Sequence, residues 1–77
     1  MFEFLAGKLT PQRELGLRIR TYRQYRNLSV RELEERAGLT WTSLSKIEAG
    51  KRSIDAISLR KVATVLNIPL EDFLPIR

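Results

Sequence analysis

The 77-residue sequence contains no cysteine and no histidine. The absence of cysteine excludes a disulfide framework and any metal site built on thiolates. The absence of histidine removes the commonest general base and the commonest ligand of transition metals. No other combination of residues places a nucleophile beside a base. We therefore predict that the protein is not an enzyme, with no catalytic residues, no metal site and no cofactor.

Long apolar runs are also missing. No segment approaches the roughly 20 residues that a membrane-spanning helix needs. The N-terminal segment MFEFLAGKL is apolar, but it is too short for a signal peptide and carries Glu3 where a positive region is expected. We therefore expect a cytoplasmic protein that does not act at a membrane.

Positive charge is what the sequence does have. Fourteen Lys and Arg residues oppose nine Asp and Glu, which gives a net charge of +5 and a pI of about 10.2. A small basic domain is first a candidate for binding nucleic acid and second a candidate for binding an anionic membrane surface, although the charge can also serve solubility alone. A chain of this size buries only about 60% of its unfolded surface, so an oligomer is a natural source of further stability.

Capping signals and apolar stripes at helical spacing divide the chain into helices. The predicted starts are, in order, Thr10-Pro11, Ser29, Thr40, Asp55 and Pro69. The predicted core residues that follow these starts are Leu15, Ile19, Tyr22, Val30, Leu33, Ala37, Leu44, Ile47, Leu59, Val62, Ala63, Leu66, Leu70, Phe73 and Leu74. The sequence thus predicts an all-α domain of about five short helices over residues 10–77, preceded by an N-terminal arm of residues 1–9.

The second and third predicted helices, joined by a turn that begins at Gly38, have the spacing of a helix-turn-helix. Around them, residues 15–74 contain a Leu-Ser helix start, an Ala-Gly-Leu turn, the segment SKIEAGKR and the closing segment IPLEDFL. This order resembles the lambda-repressor and Cro-like (XRE) family of regulators nearly from end to end. The resemblance implies a compact five-helix, lambda-repressor-like fold and binding to double-stranded DNA.

Two positions depart from the family pattern. Val30 stands where the family usually has Gln, which removes a polar contact to phosphate. Glu34 stands where the family usually has Ala. We expect the Glu34 carboxylate to point out of the helix crossing, or the crossing to be more open than usual.

The resemblance places the start of the third helix in the major groove, with Trp41, Thr42 and Lys46 as base-reading residues. Lys46 can donate to guanine, and the methyl group of Thr42 suits thymine. For Trp41 an alternative stays open: the indole can fold back onto Tyr22, Tyr25 or Leu39 and join the core.

Four further residues are candidates for contacts to the DNA backbone: Arg31, Ser43, Lys51 and Arg52. Arg31 lies in the first turn of a helix, where the dipole disfavours a cation unless an anion is near. Ser43 can instead be a simple helix cap, and the cations can be solvated surface charges. The resemblance also implies a structural ion pair between Arg23 and Glu48.

These assignments predict a sequence-specific DNA-binding transcriptional regulator, a repressor, that acts as a homodimer on a pseudo-palindromic operator. We expect Phe73 and Leu74 to lie in the dimer interface, with the alternative that Phe73 completes its own core. A second hypothesis is an antitoxin-like or accessory module that holds a protein partner, through the apolar N-terminal arm, with DNA binding secondary. A third is a nonspecific binder of nucleic acid or anionic membrane.

Overall fold

The computed structural model describes residues 11–73, which form four α-helices and one short 3-10 helix. Their bounds are α1 Pro11–Tyr25, α2 Val30–Ala37, α3 Ser43–Glu48, α4 Ala56–Leu66 and the 3-10 helix Leu70–Phe73. The all-α prediction is confirmed over these residues, but the prediction of five α-helices is wrong. The last element is a single turn, in which the Asp72 amide donates to the Pro69 carbonyl at 3.0 Å, three residues back.

Residues 1–10 and 74–77 lie outside the described part of the chain. The predicted arm at residues 1–9, the predicted Thr10 cap and the predicted interface residue Leu74 therefore fall outside the described residues. None of the helices within residues 11–73 is both long enough and apolar enough to cross a membrane.

The starts of α2 and α4 follow the predicted capping signals. The Ser29 hydroxyl accepts from the Glu32 amide at 3.0 Å, and the Ser29 amide donates to the Glu32 carboxylate at 2.8 Å, so the predicted capping box is confirmed. The Asp55 carboxylate accepts from the Ser58 amide at 3.3 Å. Bonds from Ser29 lower the pKa of Glu32, and bonds from Ser58 lower the pKa of Asp55, because a donor stabilises the ionised carboxylate.

The core is assembled between α1, α2, α3, α4 and the 3-10 helix. Its buried apolar residues are Ile19, Leu33, Ala37, Leu44, Ile47, Leu59, Val62, Ala63, Leu66 and Phe73, all of them predicted. The Phe73 ring meets the Tyr22 ring edge to face, with centroids 5.2 Å apart. Phe73 is only 1% exposed, which favours the alternative that it belongs to its own core over a place in a dimer interface. Phe73 completes its own core instead, because the 3-10 helix packs against both α1 and α4.

Gly16 allows α1 to approach the end of α3 closely. A Cβ atom at this position would lie 2.9 Å from the Glu48 carbonyl oxygen and would also meet the Ile47 carbonyl oxygen. Beyond this contact, the Gln12 side-chain amide donates to the Gly50 carbonyl at 2.8 Å. These two contacts fix the C-terminal end of α3 against the first half of α1.

Candidate nucleic-acid interface

Helices α2 and α3 form a helix-turn-helix whose turn starts at Gly38. Gly38 has a φ of 70°, a left-handed conformation that glycine adopts at low cost and that ends α2 as predicted. The Leu39 amide then donates to the Glu34 carbonyl at 2.8 Å and closes the end of the helix. The chain can therefore turn within a few residues and bring α3 against α2.

The start of α3 differs from the prediction. The sequence predicts that Thr40 caps this helix, but α3 begins at Ser43 and its N-cap residue is Thr42, which has a φ of 71° and makes no cap bond with its side chain. Thr40 instead offers its carbonyl, which accepts from the Ser43 amide at 3.1 Å and from the Ser43 hydroxyl at 2.6 Å. The prediction that Thr40 caps α3 is wrong, and Trp41 lies in the turn before the helix.

Trp41 is exposed. Its side chain and backbone together retain 70% of their accessible surface, so the alternative in which Trp41 joins the core is wrong. The Arg31 guanidinium lies over the indole, 5.7 Å from the ring centroid. Arg31 also forms an exposed ion pair with Glu35 at 3.6 Å. Arg31 and Trp41 thus form one surface feature, cationic and aromatic together.

The other candidate contact residues divide by exposure. Thr42 and Lys46 are exposed at the start and middle of α3, and Lys51 and Arg52 are exposed in the loop that follows it. Ser43 is different, because it is 6% exposed and its hydroxyl is used by the Thr40 carbonyl. The burial of Ser43 argues against a contact to the DNA backbone and favours the alternative of a local role at the helix start.

Arg23 and Glu48 form the predicted ion pair. The Arg23 Nε donates to Glu48 Oε2 at 2.6 Å, and Nη2 donates to Oε1 at 3.0 Å. The remaining Nη1 donates to the Leu28 carbonyl at 2.8 Å. Both side chains are largely buried, 11% and 8% exposed. The pair joins α1, the turn before α2 and the last residue of α3, which agrees with the structural role implied by the family resemblance.

Glu34 does not behave as the sequence suggested. It is 2% exposed, and its Oε2 accepts from the Leu44 amide at 2.9 Å inside the crossing of α2 and α3. The prediction that the carboxylate points out of the crossing is wrong, because the unpaired amides at the start of α3 attract it inward. The sequence showed that Glu34 stands where the family usually has Ala, but it did not show where the carboxylate points.

Structural contacts made by polar side chains were also missed in the sequence, and Gln12 and Arg26 give two examples. Gln12 contacts the loop after α3 through the Gly50 carbonyl. Arg26 donates from Nε to the Leu66 carbonyl at 2.7 Å and thereby satisfies the C-terminal end of α4. No local pattern marks either residue, since each contact joins positions about 40 residues apart.

Comparison with known proteins places this geometry among helix-turn-helix proteins. A family model described as helix-turn-helix matches residues 19–73. The uncharacterized HTH-type transcriptional regulator RghRB of Bacillus subtilis (strain 168) is 35% identical over 60 residues, which cover 77% of this chain and 43% of that protein. The chain therefore spans less than half the length of this relative.

Solved structures share the fold. The restriction-modification controller protein C.AhdI from Aeromonas hydrophila superposes with a TM-score of 0.79 and 27% identity, over 82% of this chain and 96% of the other. The clp gene regulator ClgR from Corynebacterium glutamicum has a TM-score of 0.81 at 24% identity, over 86% of this chain and 70% of the other. With the family match over residues 19–73, these findings show that the chain belongs to the helix-turn-helix family of the XRE, or Cro/C1, type.

Proposed function

We propose that the protein is a sequence-specific transcriptional regulator that binds double-stranded DNA through α3 and the segments on either side of it. The observation that carries the proposal is the division of side chains in and around α3. Leu44 and Ile47 are buried, whereas Trp41, Thr42 and Lys46 are exposed. A helix with one side committed to the core and the other rich in polar, cationic and aromatic groups is suited to enter the major groove.

Within the groove, each exposed residue has a distinct role. Lys46 donates to guanine O6 or N7, and Thr42 presents its methyl group to thymine. Trp41 offers an apolar ring face and a single N–H donor. Arg31, Lys51 and Arg52 contact phosphates, which fix the register without reading the sequence.

The regulator acts as a homodimer on a pseudo-palindromic operator and represses by occupying promoter DNA. The support for a dimer is geometric, because one helix-turn-helix reads few base pairs, and two recognition helices about 34 Å apart can lie on one face of the duplex. We expect other residues to supply the interface, because Phe73 is buried in its own core. Sedimentation of the wild-type chain, of a chain lacking residues 1–9 and of Leu74→Glu tests this part. A monomer in the wild-type sample, at concentrations where operator DNA is bound, would contradict it.

The DNA-binding proposal is tested by a mobility shift with DNA from upstream of the encoding gene, with and without excess random DNA. A specific complex should survive the competitor. A dimer that makes on the order of eight phosphate contacts should give a log–log slope of affinity against salt near −7. Lys61→Ala is the control, because it removes an exposed charge from α4, outside the proposed interface. A nearly flat salt response would favour the protein-interaction hypothesis instead.

A further inference from the structure

The buried Glu34 carboxylate joins α2 to the first turn of α3. Glu34 Oε2 accepts from the Leu44 amide at 2.9 Å, and Leu44 itself is fully buried. Leu44 is the second residue of α3. The bond therefore links the interior of the helix-turn-helix to the end of α3 that lies next to the proposed DNA-reading residues.

The first amides of an α-helix have no partner within the helix, and the side chain of the N-cap residue usually supplies one. In α3 the N-cap residue does not provide this acceptor, because the side chain of Thr42 makes no cap bond. The hydroxyl of Ser43 is a donor to the Thr40 carbonyl and does not serve the amides of its own helix. Glu34 takes the place of the missing cap, and its negative charge suits the positive end of the helix.

The same region contains an unfavourable backbone conformation. Thr42 has a φ of 71°, and β-branched residues rarely adopt this left-handed region. Such a conformation persists only where the surrounding structure holds it. The amide that Glu34 binds lies two residues after Thr42, so the carboxylate is placed to hold the turn as well as the helix.

We infer that Glu34 is a positioning residue: its carboxylate fixes the first turn of α3 and, through it, the left-handed Thr42 and the exposed Trp41. With Glu48 bound to Arg23, α3 is held by a carboxylate bond at each end. The effect of Glu34 on DNA recognition rests on the function proposed above, whereas its effect on the Leu44 amide does not.

The experiment compares Glu34→Ala and Glu34→Gln with wild-type protein, and Glu71→Ala is the control for loss of one exposed negative charge. Amide hydrogen exchange by NMR is measured on the free proteins. Affinities are then measured for the upstream DNA and for random DNA. Glu34→Ala should speed exchange of the Leu44 amide and weaken specific binding by about tenfold or more, with little change in nonspecific binding.

Glu34→Gln should retain most of the protection and specificity, because its side-chain oxygen can accept the same bond. Unchanged exchange at Leu44 in Glu34→Ala would overturn the inference, and so would equal losses of specific and nonspecific affinity in a folded variant. If Glu34→Ala does not fold, the test rests on Glu34→Gln, because a loss of binding specificity in that variant also overturns the inference. If wild-type protein shows no preference for the upstream DNA, the proposed function fails, but Leu44 exchange still tests whether Glu34 holds α3.

Discussion

Arg23 and Glu48 are joined by two parallel hydrogen bonds, at 2.6 and 3.0 Å, across 25 residues of sequence. The paired geometry matches the planar guanidinium to the carboxylate, and the Leu28 carbonyl uses a third donor. Since both side chains are largely buried, neither charge can rely on water if the other is removed. The pair therefore ties the position of α3 to that of α1.

Arg23→Ala should lower the free energy of unfolding by about 3–5 kcal/mol, because it leaves Glu48 buried without its partner. Arg23→Lys should recover only part of the loss, since an ammonium group cannot reproduce the two parallel bonds. Urea denaturation measures both. The control is Glu35→Ala, which breaks the exposed pair with Arg31 and should cost at most about 1 kcal/mol. Similar small losses in Arg23→Ala and Glu35→Ala would contradict the structural role.

Gly16→Ala should destabilise the protein by about 1–3 kcal/mol, although alanine favours helices, because the added Cβ meets the carbonyls of Ile47 and Glu48. Backbone atoms cannot move aside as a flexible side chain can. The matched control is Gln24→Ala, an exposed position of the same helix, which should change stability by no more than about 0.5 kcal/mol. A more stable Gly16→Ala protein would show that α1 and α3 do not approach each other this closely.

Much of this architecture could be predicted from local signals. The capping box at Ser29, the left-handed Gly38 and the Asp55 cap depend on neighbouring residues, and each is confirmed. The start of α3 could not be predicted in the same way, because Thr40 and Thr42 both have the side chain of a good cap. In the structure, the Leu44 amide in the first turn of α3 donates to Glu34, which reaches α3 from another helix.

The candidate site shows the same limit. The Arg23–Glu48 pair came from the family resemblance, since nothing in the spacing of 25 residues indicates it. The exposure of Trp41 could not be decided from the sequence, because residue 41 is three positions before the buried Leu44 and can share its side of a helix. In the structure α3 begins at Ser43, so Trp41 lies in the turn before the helix and is exposed.

Lys46→Ala and Lys51→Ala should have different effects on DNA binding. Lys46→Ala should relax discrimination at one base position in each half-site, with a cost of about 1–3 kcal/mol there. Lys51→Ala should weaken binding to all sequences about equally and make the salt slope less steep by about one unit for each phosphate that is no longer neutralised. Binding to a set of single-base operator variants measures the first effect. Uniform loss of affinity in both variants would place α3 differently on the DNA.

Trp41→Ala should weaken operator binding strongly while it changes stability by no more than about 1 kcal/mol, the scale of an exposed cation–π contact. Trp41 is the only tryptophan in the chain, so its fluorescence reports on this position alone. Adding operator DNA to wild-type protein should change that emission, and adding random DNA should change it less. Unaltered emission at saturating operator would remove Trp41 from the interface.

Acid should destabilise the fold partly through Asp55. Folding lowers the pKa of Asp55, chiefly through hydrogen bonds from Ser58, so the ionised cap stabilises the fold at neutral pH. That contribution is lost as the pH falls below the ordinary aspartate range, near 4, and through the lowered folded value. Asn is also a good cap, so Asp55→Asn should be nearly as stable at pH 7 and lose less stability on acidification. Thermal melts across this range measure the difference, and parallel curves for the two proteins would contradict it.

The arrangement of α3 also affects how readily substitutions can alter the operator preference of such a protein. Leu44, Ile47 and Glu48 anchor the helix, whereas the exposed positions 41, 42 and 46 contribute little to the core. A residue at position 42 must also adopt the left-handed conformation of Thr42, but sequence variation at positions 41 and 46 is nearly free of a folding penalty. A library randomised there should yield mostly folded members, from which proteins with altered operator preference can be selected without compensating changes elsewhere.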